Sequence, residues 1–295
     1  REAAEQAAAL AGSYGRVVVE AYAEGGREFT SIVLGTSDGP VTLVPSEIEI
    51  LGASGDSEEG AREIFNYRRK YLPTSQVTYH TPPRFLDAAT DEVRAGAARL
   101  FEELGLRDFA RIDGWLLPEG SPAITVGGGV SGSFEGGKVV FTDINIMCGM
   151  EQTSFLFQQA AEVGMTHAAV LRHTLAAACA RHVISLPPLP PPLAEGEGGR
   201  RKVFVLFGGN TSERQVSLMS GTNVWLKLRT LQEFDARPFL LGMDAEEERF
   251  LERTVWELPY ANVLRHTVEE VLEGCERALD PAEAAKAARV RVAVQ

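Results

Sequence analysis

Phe109 to Trp115 reads FARIDGW, and Phe141 to Ser154 reads FTDINIMCGMEQTS. The first lies in a predicted strand, Phe109 to Leu117, and the second begins in another, Lys138 to Asn145. Strand side chains point to alternate faces, so Arg111 shares a face with Asp113, and Asp143 with Asn145. If the two strands pair, three oxygen ligands and one guanidinium converge on one surface. Hard oxygen ligands suit Mg²⁺ bridging a nucleotide's phosphates. The alternative is a structural ion pair at the strand ends. Gly149 to Ser154 then reads as a loop entering a helix, where backbone amides can hold a carboxylate or a developing oxyanion.

Upstream of this pair, Arg16 to Glu20 and Glu28 to Leu34 are rich in Val, Ile and Thr around a Gly25-Gly26 turn, which predicts a hairpin. A further strand is expected around Val41 to Ile50. Asp91 to Leu104 reads as a helix with Val93, Ala97, Leu100, Phe101 and Leu104 on one face, and Gly105 is its natural stop. Gly127 to Gly137, GGGVSGSFEGG, lacks the terminal Gly-Lys-Ser/Thr of a phosphate loop and reads as a hairpin insert. Gln158 to His182 predicts a helical segment broken near Gly164.

The clearest break in the chain is LPPLPPPLAEGEGG, Leu186 to Gly199, whose prolines and Glu/Gly run cannot build a core and read as a linker. Downstream the pattern changes. Lys202 to Phe207, KVFVLF, is a continuous apolar run of the kind a parallel strand buried on both faces shows. Gly208-Gly209-Asn210-Thr211 forms a turn, and Ser212-x-x-Gln215 predicts a capping box opening a helix to about Leu228. Strand, glycine turn and helix make the first unit of a doubly wound α/β domain. A strand near Phe239 and a helix from Val268 to about Leu279 continue the alternation.

The chain has 295 residues, 29 Lys+Arg against 41 Asp+Glu, and a formal net charge of −12. At roughly 150 residues per domain, that length predicts two domains. So acidic a surface repels phosphate backbones, which argues against nucleic acid as a partner. No apolar run approaches the roughly 20 residues of a membrane-spanning helix. Cys148, Cys179 and Cys275 lie far apart with no metal-ligand spacing, so neither a zinc site nor a disulfide framework is expected. His80, His167, His173, His182 and His266 also lack ligand spacing and are expected on surfaces or helix caps.

The stretch VVVEAY, REFTSIVLG, NYRRKYL, FARIDGW and FTDINIMCGMEQTSFLFQQAAEVGM, spread over Arg16 to Arg181, resembles the C-terminal half of the ATP-grasp domain of D-alanine–D-alanine ligases. KVFVLFGGNTSERQVSLMSGTNVW, after the linker, resembles the strand, loop and helix with which the same ligases begin. The resemblance implies an α/β fold in two parts. Residues 1–183 would be an α+β ATP-grasp C-terminal subdomain of a first copy. Residues 184–200 would be a linker, and 201–295 a Rossmann-like pre-ATP-grasp domain of a second copy. It further implies ATP-dependent joining of two D-alanines through an acyl phosphate, for peptidoglycan precursor synthesis. A D-alanine–D-lactate or D-alanine–D-serine enzyme, or a non-catalytic binding module, are the alternatives.

By resemblance, Glu20 and Ala21 lie in the hinge that holds the adenine, and Glu28 is the ribose-binding acid. Asp113, Asp143 and Asn145 match the ligands of two Mg²⁺ ions (Mn²⁺ as substitute), with Asp143 where bacterial members usually carry Glu. Arg111 and the Gly149 amide match the pair that stabilises the tetrahedral oxyanion, a type of donor worth about 3–4 kcal/mol of barrier. Lys70 and Tyr71 match the lysine near the transferred phosphoryl and the tyrosine of the lid. Ser154, with the backbone of Phe155, matches the clamp on the second substrate's carboxylate. Gln215 stands where bacterial ligases have a glutamate that orients the first D-alanine's ammonium; Glu213, Arg214 and Ser217 belong to the same motif.

This order of parts is that of a tandem-fused ligase of the plant and green-algal kind. The chain opens at Arg1 inside an Ala-rich helical pattern and closes on the strand-like Val290 to Val294, so a fragment is expected. By the resemblance the front half of the ATP-grasp fold is absent from both copies, so inactivity of the chain alone is expected. Its small-molecule substrate would be D-alanine. A homo-oligomer of the parent protein follows from the family's dimers, and a plastid location from a plant or algal source, with the cytoplasm otherwise.

Overall fold

A computed structural model describes residues 2–17, 23, 25–50, 77–119, 121, 131–134, 137–188, 200–209, 211–241 and 255–278. In chain order these form α1 (Glu2–Tyr14), β1 (Arg27–Thr36), β2 (Gly39–Thr42), β3 (Ser46–Ile50), β4 (Val77–His80), α2 (Asp87–Glu103) and β5 (Phe109–Pro118). There follow β6 (Ser131–Phe134), β7 (Gly137–Asn145), α3 (Phe155–Glu162), α4 (His167–Arg181) and β8 (Arg201–Gly208). The last described elements are α5 (Arg214–Leu228), β9 (Phe234–Leu241), β10 (Val255–Glu257), α6 (Tyr260–Val263) and α7 (Val268–Ala278).

The first seven strands make one antiparallel sheet in the order β4-β3-β1-β5-β7-β6, with β2 paired to β1 beside β3. β1 is its spine. Phe29, Thr30, Ser31, Ile32, Val33 and Leu34 are all buried, because both faces are covered. On one face α2 packs Ala97, Leu100 and Phe101 against Val33, Ala110 and Ile112, and Ala89 and Val93 against Phe29, Leu116 and Val139. On the other, α3 and α4 bring Leu156, Phe157, Val163 and Val170 onto Ile32, Leu34, Leu43 and Val44. Leu104, expected on the buried face of α2, is exposed, because it is the residue at which the helix ends. Gly105 follows at φ +62, a left-handed conformation that glycine adopts without steric cost.

Of the expected hairpin of Arg16 to Glu20 with Glu28 to Leu34, the first strand falls largely outside the described residues. β1 turns through Ser37 and Asp38 into β2. The expected strand at 41–50 is two strands, β2 and β3, that meet β1 on the same side. Strands β5 and β7 appear where the sequence places them, and the long closing helix breaks between α3 and α4 at Gly164, φ +85.

The second sheet is β10-β9-β8, with β8 and β9 parallel, as the strand, turn and helix pattern requires. Leu218 and Trp225 of α5 pack on Val205 and Phe207, and Val263, Val268 and Val271 complete this core. Two readings of this part are corrected. β8 is not buried on both faces: Phe204 and Leu206 stand 56% exposed, because the described helices cover only one face of this sheet. Nor does the capping box form. α5 starts at Arg214 with no side-chain cap, since Gln215 turns instead to α7. The linker's residues 189–199 lie outside the described residues. No described helix is long and apolar enough to cross a membrane.

Candidate functional site

The register of β5 on β7 sets Arg111 opposite Asn145 and Asp113 opposite Asp143. One residue further, at Asp113/Gly114, the ladder shifts, which skips Thr142 and keeps the polar side chains in step at this end only. All four side chains then meet on one surface. Arg111 clasps Asp113 through Nε at 3.1 and 3.2 Å and through Nη2 at 2.9 Å. The Asn145 amide donates to Asp113 at 3.2 Å and to Asp143 at 3.0 Å. β1 adds a residue that the motifs did not single out: Thr30 lies opposite Asp113 and donates its hydroxyl to Oδ1 at 2.7 Å. Only the β1–β5 register reveals Thr30, and no local sequence signal carries it.

Burial would lower the pKa of Arg111, but the charge of Asp113 overrides it and raises the value, so the guanidinium stays fully charged. Beyond it lies the Cys148 thiol, pushed up by burial and opposed by Arg111. Gly149 follows directly. The Glu151 carboxylate lies close over it, at the end of an exposed side chain that is free to turn away. A carboxylate thus folds over the glycine beside Arg111.

Ser154 is the N-cap residue of α3 yet makes no capping bond, and its hydroxyl is buried without a hydrogen-bond partner. Such a group costs stability unless a ligand satisfies it. The ring of Phe155 stands edge-on to Tyr79 at 5.1 Å and to His266 at 6.3 Å. Gln158 donates to the Thr153 carbonyl at 2.7 Å and bridges to Nδ1 of His266 at 3.1 Å. Burial, then Arg265, lowers the His266 pKa to about 4, so the ring is neutral at neutral pH. With the amide nitrogen of Gln158 donating, Nδ1 accepts and the proton sits on Nε2.

His266 is therefore not the surface histidine expected. Three others are also placed by tertiary contacts: His80 is buried between carboxylates, His167 stacks on Phe157 at 3.9 Å, and His173 bonds the Gly35 carbonyl at 2.8 Å. His182 does end a helix.

Glu28 sits on β1 between Ile48 and Trp115, within electrostatic reach of Tyr79. Gln215 is engaged within its own part of the chain. Its carbonyl accepts from the Val268 amide at 2.9 Å, and its amide donates to Glu269 at 2.6 Å. The structure thus gathers Arg111, Asp113, Asp143 and Asn145 into one cluster and puts Ser154 and Phe155 on the neighbouring helix start. It leaves Gln215 with partners of its own. Glu20, Ala21, Lys70 and Tyr71 lie outside the described residues.

The chain is mixed α/β, and its larger, antiparallel sheet carries this acid–amide–guanidinium cluster. Residues 1–126 match the sequence model of the D-ala D-ala ligase C-terminus. The chain is 34% identical over 105 residues to the D-alanine–D-alanine ligase of Kineococcus radiotolerans, covering 35% of this chain and 26% of that protein. With the ligase of Chlorobium limicola it shares 27% identity over 149 residues, 50% of this chain and 33% of the other. The chain thus spans about a quarter to a third of the length of these relatives. The solved VanG D-Ala:D-Ser ligase from Enterococcus faecalis overlays at a TM-score of 0.37 and 21% identity, over 52% of this chain and 36% of that one.

Proposed function

We propose that this chain is part of an ATP-dependent ligase that joins two D-alanines to D-alanyl-D-alanine through an acyl phosphate. The observations that carry this reading are the convergence of Arg111, Asp113, Asp143 and Asn145 and, at the start of α3, the unpartnered hydroxyl of Ser154.

The donor set fits Mg²⁺. Two carboxylates and an amide within mutual hydrogen-bond distance offer hard oxygen ligands, and Asn145 presents its carbonyl oxygen once its amide turns over. Asp113, Asp143 and Asn145 would hold the metal, which would neutralise the phosphates of ATP when bound. Asp in place of Glu at 143 shortens the ligand by one methylene and leaves a carboxylate at the position. Thr30 holds Asp113 by one oxygen throughout.

In the reaction, the carboxylate of the first D-alanine attacks the γ-phosphorus of ATP, and ADP leaves. The amine of the second attacks the acyl carbon, loses its proton, and phosphate leaves. Arg111 and the Gly149 amide stabilise the oxyanion formed in between, and for this the Glu151 carboxylate must swing off Gly149. Ser154 donates its free hydroxyl to the carboxylate of the second D-alanine, with the Phe155 amide beside it at the start of α3. Glu20, Ala21 and Glu28 would hold the nucleoside, and Lys70 and Tyr71 the transferred phosphoryl and the lid.

The order of the two parts supports the tandem reading, with residues 1–183 as the end of one ligase copy, 184–200 as a linker and 201–295 as the start of the next. In that arrangement Gln215 would meet the first D-alanine's ammonium without bringing a charge to it.

A paired measurement tests the proposal: Mn²⁺ binding to the purified chain, followed by electron paramagnetic resonance, and phosphate release with ATP and D-alanine by the full-length protein, because the chain alone is expected to be inactive. Binding that Asp143→Ala abolishes supports the metal assignment, and D-alanine-dependent phosphate release supports the ligase. A chain that binds no Mn²⁺, or binds it equally well as Asp143→Ala, overturns the reading of the cluster.

A further inference from the structure

Four consecutive residues at the end of β4 are each gripped by the last described segment of the chain. The Tyr79 amide donates to Glu270 at 2.8 Å, and His80 Nδ1 lies 3.1 Å from Glu273. The Thr81 carbonyl accepts from Arg265, and the Pro82 carbonyl accepts from Arg277 at 2.8 Å. Arg265 in turn pairs with Glu162 of α3 at 2.6 Å. The four contacts to residues 79–82 each join positions more than 180 residues apart, and they tie residues 265–277 to the edge of the large sheet.

His80 is the one member of this row that carries an imidazole. It is 4% exposed, and its second nitrogen, Nε2, lies 2.9 Å from Glu49 on β3. A neutral imidazole has a single N–H, so it can serve only one of two carboxylates and turns a lone pair on the other. The imidazolium donates to both. The charged groups around it, among the described residues, are Glu47 and Glu49 on β3, Arg84 on the approach to α2, and Glu270, Glu273 and Arg277 on α7. Arg84 is tied to Glu47 and Glu49, and Arg277 to Glu273, which leaves His80 as the cation shared between β3 and α7.

We propose that His80 is the pin of a pH-sensitive clasp that holds residues 255–278 against the β4 edge. It is closed while the imidazolium donates to both Glu49 and Glu273, and loosened when one ring proton passes to water. Burial works against the charge on His80, but the bonds from Glu273 and then Glu49 outweigh it and raise its pKa. A raised folded value means that the contribution is fully present below about pH 6.5, the ordinary histidine value, and is lost as pH rises through the folded one. The two carboxylates that His80 joins keep their charge well into acid, because Glu49 is held below the usual carboxylate value and Glu273 falls to about 2. The clasp therefore opens in base.

Amide hydrogen exchange on the full chain, read by mass spectrometry from about pH 6 to about pH 9 and corrected for intrinsic rates, tests this. Peptides covering 77–82 and 268–278 should lose protection about tenfold across that range, the weight of one part-exposed charge-assisted bond, while 109–117 stays level. In His80→Gln, which keeps one donor, the same peptides should show no step. A level wild-type profile, or a step that survives in His80→Gln, overturns the proposal. Should that variant not fold, Glu273→Gln decides the matter: it must move the step to lower pH, and an unmoved step overturns the clasp equally.

Discussion

Gln159 of α3 inserts its side-chain amide into the backbone ladder of β1, accepting from the Ile32 amide at 2.9 Å. Its nitrogen donates to the Thr30 carbonyl at 3.0 Å and to Ser46 Oγ at 3.1 Å. The gap it fills lies where β1 changes partner, from β3 at Glu28 to Thr30 to β2 at Val33 to Thr36. A fully buried glutamine here replaces a missing strand residue, and it ties the helix that carries Ser154 to the strand that carries Thr30.

Gln159→Leu should therefore destabilise strongly. It strands a buried amide and two buried acceptors, each costing on the order of 1–3 kcal/mol, partly offset by the apolar replacement. We expect a net loss of about 3 kcal/mol in urea unfolding, with the slope of the transition unchanged.

Gly114→Ala should be about as costly for a steric reason. A Cβ at this shift in the ladder would collide with the Val140 carbonyl oxygen, lie 2.6 Å from the Phe29 ring and 3.1 Å from Cα of Phe141. Two of these obstacles are backbone and the third is a fully buried ring, so the sheet itself must move. Overpacking of this kind costs typically about 1–3 kcal/mol, and the thermal midpoint reports it. Asp113 is the neighbouring residue, so Mn²⁺ affinity should fall along with stability.

The local code of this chain was legible where one segment decides its own form. The two predicted strands match β5 and β7, and period-two alternation along them places Arg111, Asp113, Asp143 and Asn145 on a shared face. The helical stripe and Gly105 located α2. What escaped depends on contacts distant in sequence. KVFVLF reads as doubly buried, but an apolar run does not say whether anything covers its second face, and Phe204 and Leu206 are exposed. Ser212-x-x-Gln215 has the capping letters, yet α7 offers Gln215 better partners. Thr30, Gln159 and His266 carry no motif at all, and their roles arise only when β1 meets β5, α3 meets β1, and residue 266 meets Tyr79.

His266 gives the chain an acid-sensitive side. Burial among Tyr79, Phe155 and Gln158 lowers its pKa from 6.5 to about 4. A folded value below the unfolded one means that the unfolded state binds the extra proton first. The contribution is complete above about pH 6.5 and disappears as pH falls towards about 4. Unfolding free energy should drop over that interval by on the order of 2 kcal/mol, after discounting for partial exposure of the ring. His266→Phe keeps the aromatic contacts and should flatten this part of the curve. A variant as acid-sensitive as the wild type would assign the loss to other groups.

Ser154→Ala separates stability from binding. At most helix starts, removing a serine cap costs about 1 kcal/mol, because its oxygen satisfies a backbone amide. Here the hydroxyl satisfies none and is buried, so its desolvation already weighs on the fold. Replacing it with a methyl group should leave stability unchanged or raise it by up to about 1 kcal/mol. A position that is better filled by alanine for folding has its serine for another purpose, as binding sites commonly do. If that purpose is the acceptor carboxylate, Ser154→Ala should weaken D-alanine binding about tenfold, the worth of one hydrogen bond to a charged group. Thermal unfolding and calorimetric titration of the same protein read the two effects apart. A destabilised variant would mean that the hydroxyl serves the fold, and the clamp assignment would fall with it.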